Sequence, residues 1–224
     1  LILRIKVVRP ATASAEDPSL DDSADLVRHE LRRRARAARR ALTGEQRTEA
    51  ARAVRDRLHD FTVYMAAQRI GAYAAVASEL SLGDTIDAAL KHGRAVYLPH
   101  VEHTAPQMRF AHWNGQQKRL MANRFGIPEP LVEVAELIDP EQMDVILIPL
   151  LAFDRVGGRL GSGAGYYDRA LAFRRVQRRP PWLIGIGYAC QEAEAIPMAE
   201  WDVPLDFVVT ERELITTGAA AVSD

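Results

Sequence analysis

Val145-Ile146-Leu147-Ile148-Pro149-Leu150-Leu151 is apolar at every position, and this run decides the fold. A strand with one face in water alternates apolar and polar residues. A continuous apolar run rich in β-branched side chains instead needs cover on both faces, as a central strand has when helices lie above and below its sheet. On its C-terminal side a glycine-rich turn follows, then residues 166–175 return to helical spacing, and Leu183-Ile184-Gly185-Ile186-Gly187-Tyr188 and Phe207-Val208-Val209-Thr210 supply two late strands. On its N-terminal side Met108 to Trp113 alternates as an antiparallel strand would, Ala95-Val96-Tyr97-Leu98 is another strand, and Ser81 caps a helix running to Lys91. Ile70-Gly71-Ala72-Tyr73-Ala74-Ala75 reads as the first strand. Ahead of it stand two helices. Val27, Leu31, Ala35, Ala38 and Leu42 recur at helical spacing with a basic opposite face, and Thr43-Gly44-Glu45-Gln46 is a capping box for a second helix to about His59. Strands separated by helices predict an α/β fold with a mostly parallel central sheet and helices on both faces.

Apolar residues make up 48% of the 224-residue chain, charged residues 26%, and the net charge is −1. That balance argues against a whole-molecule attraction to nucleic acid or to a membrane surface. The hydrophobic opening of residues 1–8 is too short and too basic to span a bilayer. Cys190 is the only cysteine, so no internal disulfide forms, and a small buried apolar role is its simplest reading. The expected setting is a reducing, cytoplasmic one, and the expected state a monomer acting on small molecules. Residues 1–25 read as a flexible extension, 26–215 as a single α/β domain and 216–224 as a flexible tail.

Ligands of open α/β sheets bind beyond the carboxyl ends of the strands. The segment leaving the most buried strand runs Phe153-Asp154-Arg155-Val156-Gly157-Gly158-Arg159-Leu160-Gly161-Ser162-Gly163-Ala164-Gly165-Tyr166-Tyr167-Asp168-Arg169. Glycines at alternate positions let backbone N–H groups approach an anion, and a helix N-terminus just after them adds more donors. Phosphate is the natural guest, although the loop has neither the Walker A ending nor the dinucleotide glycine spacing. On shape alone a tight connection with no ligand is the plainer alternative.

Arg159-Leu160-Gly161-x-Gly163-x-Gly165-Tyr166-Tyr167-Asp168 resembles the signature loop of the 5-formyltetrahydrofolate cyclo-ligase family. Glu79 after the first strand, Phe125-Gly126-Ile127-Pro128-Glu129-Pro130 in mid-chain, Ile196-Pro197 before Asp202, and the basic N-terminal helix agree in order. The resemblance spans about residues 27–214 and implies a three-layer α/β sandwich. It also implies an enzyme that uses ATP and Mg²⁺ to close 5-formyltetrahydrofolate into 5,10-methenyltetrahydrofolate.

Carried onto this chain, the resemblance gives ATP to Arg28, Arg32, Arg159, Leu160, Gly161, Ser162, Gly163, Ala164, Gly165, Tyr166 and Tyr167. It gives the folate to Ala74, Glu79, Phe125, Ser162, Gly163, Ala164, Gly165 and Tyr166. Mg²⁺ falls to Asp168 and Asp202, and the catalytic set is Arg159, Tyr166 and Asp168. The chain departs from the family at Arg28, where lysine is usual, and at Ala74, Ser162 and Trp201. Read without the resemblance, Asp168 is an acid at a helix start, Asp202 a turn former, Glu79 a loop acid, and Arg28 with Arg32 a solvated basic face. A divergent binder of ATP or folate without turnover, and a phosphosugar or acyl-CoA enzyme on a related fold, are the alternative functions. An Arg-rich helix binding nucleic acid is the weakest of the readings.

Overall fold

The structure, a computed structural model, describes residues 20–101, 107–116, 120–123, 126–130, 132–177 and 179–218. Helix α1 is Leu20–Ala41 and α2 is Gly44–His59. Between them the capping box forms as read: Gln46 N donates to Thr43 Oγ1 and Thr43 N to Gln46 Oε1. A short α3 (Thr62–Ala66) leads into β1 (Arg69–Gly71), followed by α4 (Gly83–Lys91), β2 (Ala95–Val101) and β3 (Met108–Trp113). A small hairpin of β4 (Leu120–Ala122) and β5 (Pro128–Pro130) precedes the central β6 (Val145–Pro149). Next come a second hairpin, β7 (Ala152–Phe153) with β8 (Arg159–Leu160), and α5 (Tyr166–Ala170). The chain closes with β9 (Trp182–Ile186), β10 (Phe207–Val209) and β11 (Leu214–Thr216).

The main sheet has the order β11-β10-β9-β6-β1-β2-β3. Its five inner strands run parallel, and β3 and β11 close the two edges antiparallel. Strand β6 sits at the centre, as its composition requires. Val145 and Leu147 join the core under α2, α3 and α4, while Ile146 and Ile148 join the core under α5 and the turn after it. Strand side chains alternate faces, so one apolar run anchors both helical layers. Burying each of these side chains stabilises the fold by about 1.5–3 kcal/mol. The third layer completes an α/β sandwich.

Both ends of the domain differ from the sequence reading, and the first strand, read as Ile70 to Ala75, is only Arg69–Gly71. Helix α1 begins at Leu20 rather than near Asp25, because a helix once nucleated extends at little cost even where apolar periodicity has ended. At the other end, residues read as tail begin inside the domain: Thr216 is in β11 and Thr217 is buried, its hydroxyl within bonding distance of the Leu205 and Asp206 carbonyls. A three-residue edge strand is too short to show alternation.

Candidate active site

Strand order fixes where a ligand fits. From β1 the chain moves outward through β2 to β3, then returns to lay β6 on the other flank of β1 and proceeds away through β9 and β10. The direction reverses between β1 and β6, and the crevice at their carboxyl ends is where open α/β sheets hold ligands. Glu79 lies in the loop leaving β1, and the glycine loop lies beyond β6.

The glycine loop is held by a buried carboxylate that the sequence reading passed over. Asp154 Oδ1 accepts from Val156 N at 3.1 Å and Gly158 N at 2.8 Å, and its Oδ2 accepts from Ile196 N at 2.9 Å. One acid therefore closes the β7–β8 turn and ties it to the Ile196-Pro197 block. A Cβ on Gly158 would stand 2.5 Å from Asp154 Oδ2, so glycine is required there. An Asx turn is legible in Asp-x-x-Gly-Gly, but its long-range partner is not.

Leu160 belongs to the core with Leu31, Ala35, Leu151, Ala152 and Ile196. Its side chain faces inward, so only its backbone is available to a ligand. Gly161, Ser162, Gly163 and Ala164 are exposed. Gly163 has φ 108 and Gly165 φ 66, the latter as the residue before α5. Left-handed backbone at both positions curls the loop back toward α1, where a Cβ on Gly163 would lie 4.0 Å from Arg32 Cζ.

Helix α1 delivers two of its arginines here because Leu31 and Ala35 pack it against the β7–β8 hairpin. Arg32 Nε donates to Gly161 O at 3.1 Å. Arg28 Nε donates to Pro197 O at 2.8 Å, and its Nη2 reaches Asp202 Oδ2 at 3.3 Å. Asp202 Oδ2 also accepts from Ala199 N at 2.8 Å. Thus Arg28, Arg32, the glycine loop and Asp202, distant in sequence, meet in one place. The solvated-face reading of Arg28 and Arg32 is not what the fold gives.

Asp168 lies beside them. Its Oδ1 takes Arg159 Nη2 at 2.5 Å and Val203 N at 3.4 Å, next in chain to Asp202. Arg159 is buried and its Nη1 has no hydrogen-bond partner. Each proposed metal carboxylate is therefore engaged by an arginine through one oxygen, while the other oxygen takes no hydrogen bond from the described residues. No group of three or more His, Cys, Asp or Glu able to hold a metal exists among the described residues.

On the β1 side, Glu79 Oε2 accepts from Val76 N at 2.9 Å. Burial pushes its carboxyl above the usual range, against the opposing pull of the Val76 amide and the Arg39 charge. Tyr73 fixes the same loop by donating to Leu80 O at 2.7 Å. The Tyr167 hydroxyl is buried with no partner, and burial followed by the Glu79 charge pushes its pKa up. The Tyr167 hydroxyl is thus shielded from water and near enough to Glu79 and Arg159 for their charges to act on it. Arg39 and Tyr188, neither expected from the sequence, complete this wall. Ala74 is half-buried. Tyr166, the first residue of α5, packs against the core on that face of the sheet, with the Arg169 guanidinium 5.0 Å from its ring centre. Phe125 lies outside the described residues. Trp201, a departure beside Asp202, is exposed at 59%. Cys190 is exposed as well, against the buried reading, because it lies in a short turn after β9 instead of within the strand.

Comparisons with known proteins follow the same geometry. The family model for the 5-formyltetrahydrofolate cyclo-ligase family matches residues 25–211. The chain is 34% identical over 180 residues to 5-formyltetrahydrofolate cyclo-ligase of Escherichia coli K12, covering 80% of this chain and 97% of the relative. Against the Haemophilus influenzae enzyme of the same name it is 31% identical over 182 residues, covering 80% and 94%. It is similar in structure to the Aquifex aeolicus 5,10-methenyltetrahydrofolate synthetase solved by NMR, with a TM-score of 0.72 and 30% identity over 85% of this chain and 92% of that one. No described helix is long and apolar enough to cross a membrane.

Proposed function

Since the chain belongs to the 5-formyltetrahydrofolate cyclo-ligase family, we propose that it closes 5-formyltetrahydrofolate into 5,10-methenyltetrahydrofolate, consuming ATP and releasing ADP and phosphate. The observation that carries this reading is the meeting of α1 with the glycine loop at the mouth of the β1–β6 crevice. A cationic, backbone-rich cradle stands there within one crevice of the half-buried Glu79.

In this scheme the formyl oxygen attacks the terminal phosphorus of ATP and ADP departs. The substrate's N10 then closes onto the activated formyl carbon, loses its proton, and phosphate leaves with the former formyl oxygen. The protein's part is to position two substrates and to neutralise anionic charge. Arg28 and Arg32 hold the phosphates from the α1 side, and the backbone N–H groups of residues 161–165 from the other. Glu79 accepts from the pterin N–H groups. Arg159 spans the floor, with Tyr166 and Asp168 on α5 above it.

The carboxylates suit Mg²⁺ brought in on phosphates rather than a resident ion. Magnesium keeps most of its waters and takes one or two carboxylates plus phosphate oxygens, and among the described residues Asp168 and Asp202 each retain one oxygen free of hydrogen bonds. Those two residues would hold it, and the ion would offset the charge developing between phosphates.

A second reading, retention of ATP and folate without turnover, has one observation in its favour: both carboxylates are already paired with arginines. One experiment separates the two. Purified protein is mixed with Mg²⁺-ATP and 5-formyltetrahydrofolate while methenyltetrahydrofolate absorbance is followed. An ATP-dependent rise is expected. A flat trace with both ligands bound in calorimetry supports the second reading, and a flat trace without binding rejects both.

A further inference from the structure

Arg39 is a buried cation on α1 that the proposed reaction does not yet use. It is 7% exposed, which is rare for an arginine without a carboxylate partner. Its Nε donates to Ser78 Oγ at 3.1 Å, and Ser78 immediately precedes Glu79. Nη1 and Nη2 carry four of the guanidinium's five N–H groups. Neither has a hydrogen-bond acceptor among the described residues, and neither is among the buried atoms sealed from solvent. Glu79 stands beyond ion-pair distance yet near enough for the two charges to act on one another.

A buried guanidinium is costly unless its donors are satisfied. Here the backbone side of the residue is locked, since Arg47 Nη2 donates to Arg39 O at 3.1 Å. The side chain is thus held with an unfilled planar fork beside an acid whose Oε1 takes no hydrogen bond from the described residues. The pair offers two kinds of contact side by side, acceptor from Glu79 and donor from Arg39. The hydrogen-bonding edge of a pterin presents the complement: an amino group and a ring N–H that donate, then a ring carbonyl that accepts.

We propose that Arg39 contacts the pterin of the folate directly, donating to the ring carbonyl while Glu79 accepts from the neighbouring N–H groups. The inference rests on the proposed folate substrate and adds a residue that sets specificity for it. Arg39 thereby joins Arg28 and Arg32 on one helix, so α1 contributes to both ends of the crevice.

The test uses the full chain and three ligands, each measured by calorimetry: 5-formyltetrahydrofolate, an analogue in which an amino group replaces the ring carbonyl, and ADP. In the native protein 5-formyltetrahydrofolate binds more tightly than the amino analogue. Arg39→Met is expected to weaken 5-formyltetrahydrofolate about 10- to 100-fold, the size of one charge-assisted hydrogen bond. Affinity for the amino analogue and for ADP should change less than about threefold, since neither loses an accepting carbonyl. Arg39→Lys keeps the charge without the fork and should recover part of the loss. Should Arg39→Met not fold, Arg39→Lys decides the matter by the same selectivity. Equal weakening of all three ligands, or no weakening of 5-formyltetrahydrofolate, overturns the proposal. Failure of the native protein to bind 5-formyltetrahydrofolate would instead reject the folate reading itself.

Discussion

Replacing Asp168 with Asn separates the proposed metal-holding role of its carboxylate from the role it has in pairing with Arg159. Asn has nearly the same shape, so a purely chemical role would leave the fold untouched. The structure adds a second consequence, because Asp168 Oδ1 takes Arg159 Nη2 at 2.5 Å and the Arg159 side chain is only 5% exposed. At that contact the charge centres lie about 4 Å apart, worth roughly 4 kcal/mol in an effective dielectric near 20. Asn retains a hydrogen bond of about 1 kcal/mol, so removing the charge should cost about 2–3 kcal/mol. For a domain of this size each kcal/mol lowers Tm by about 2–4 °C, giving an expected fall of roughly 4–12 °C. Thermal unfolding followed by circular dichroism measures this. Adding Arg159→Met should return part of the stability, since an apolar side chain leaves no buried charge unpaired. Turnover in the absorbance assay, taken well below both melting temperatures, should fall at least about a hundredfold in Asp168→Asn, the loss typical for a key electrostatic group. It should not return in the double variant, and the Mg²⁺ requirement should move to higher concentration. A Tm within about 1 °C of the native protein would refute the energetic argument. Near-native turnover with an unchanged Mg²⁺ titration would remove Asp168 from the site.

Three further outcomes follow from named contacts. Arg32→Ala removes the proposed phosphate contact and the bond to Gly161 O, so the KM for ATP should rise about tenfold or more with little change for folate; Arg28→Ala should raise it likewise and lower Tm as well, because Pro197 and Asp202 lose their partner. Equal KM values in native and variant proteins would take that face of α1 out of ATP binding. Glu79→Gln should weaken folate at least tenfold, through loss of the charged acceptor, yet stabilise the fold at neutral pH. Burial raises the Glu79 pKa, so its stabilising contribution is full below the unfolded value of about 4.3 and is lost as pH rises through the folded one. The variant's Tm advantage should therefore appear near pH 7.5 and vanish below about pH 4, and a Tm deficit at pH 7.5 would contradict it. Gly165→Ala places a Cβ 2.9 Å from Arg169 Nη1 at φ 66 and should cost about 1–2 kcal/mol from the left-handed backbone alone, with a higher KM for ATP as the loop shifts; an unchanged melting curve would show that the loop is not held in this conformation.

Local patterns carried the layer architecture. The unbroken apolar run of β6 could belong only to a strand covered on both sides, and the capping box at Thr43 fixed the start of α2 through contacts three residues apart. The glycine loop was equally legible, since positive φ at Gly163 and Gly165 is a demand on single residues. What the sequence could not hold was the company each charged group keeps. Asp154 drew no notice in the sequence, and only folding brings Ile196 N to its second oxygen. Asp168 reads as an acid at a helix start and Asp202 as a turn former, and the resemblance offers both to Mg²⁺, yet Arg159 and Arg28 reach them, the latter from 174 residues away. Arg39 was one arginine among many on a basic helix until burial beside Ser78 and Glu79 set it apart. Backbone conformation and apolar periodicity are properties of neighbours in the chain, so the sequence determines them directly. Electrostatic partnership and desolvation depend on which distant segments share a crevice, and here the reversal of strand order between β1 and β6 decided that.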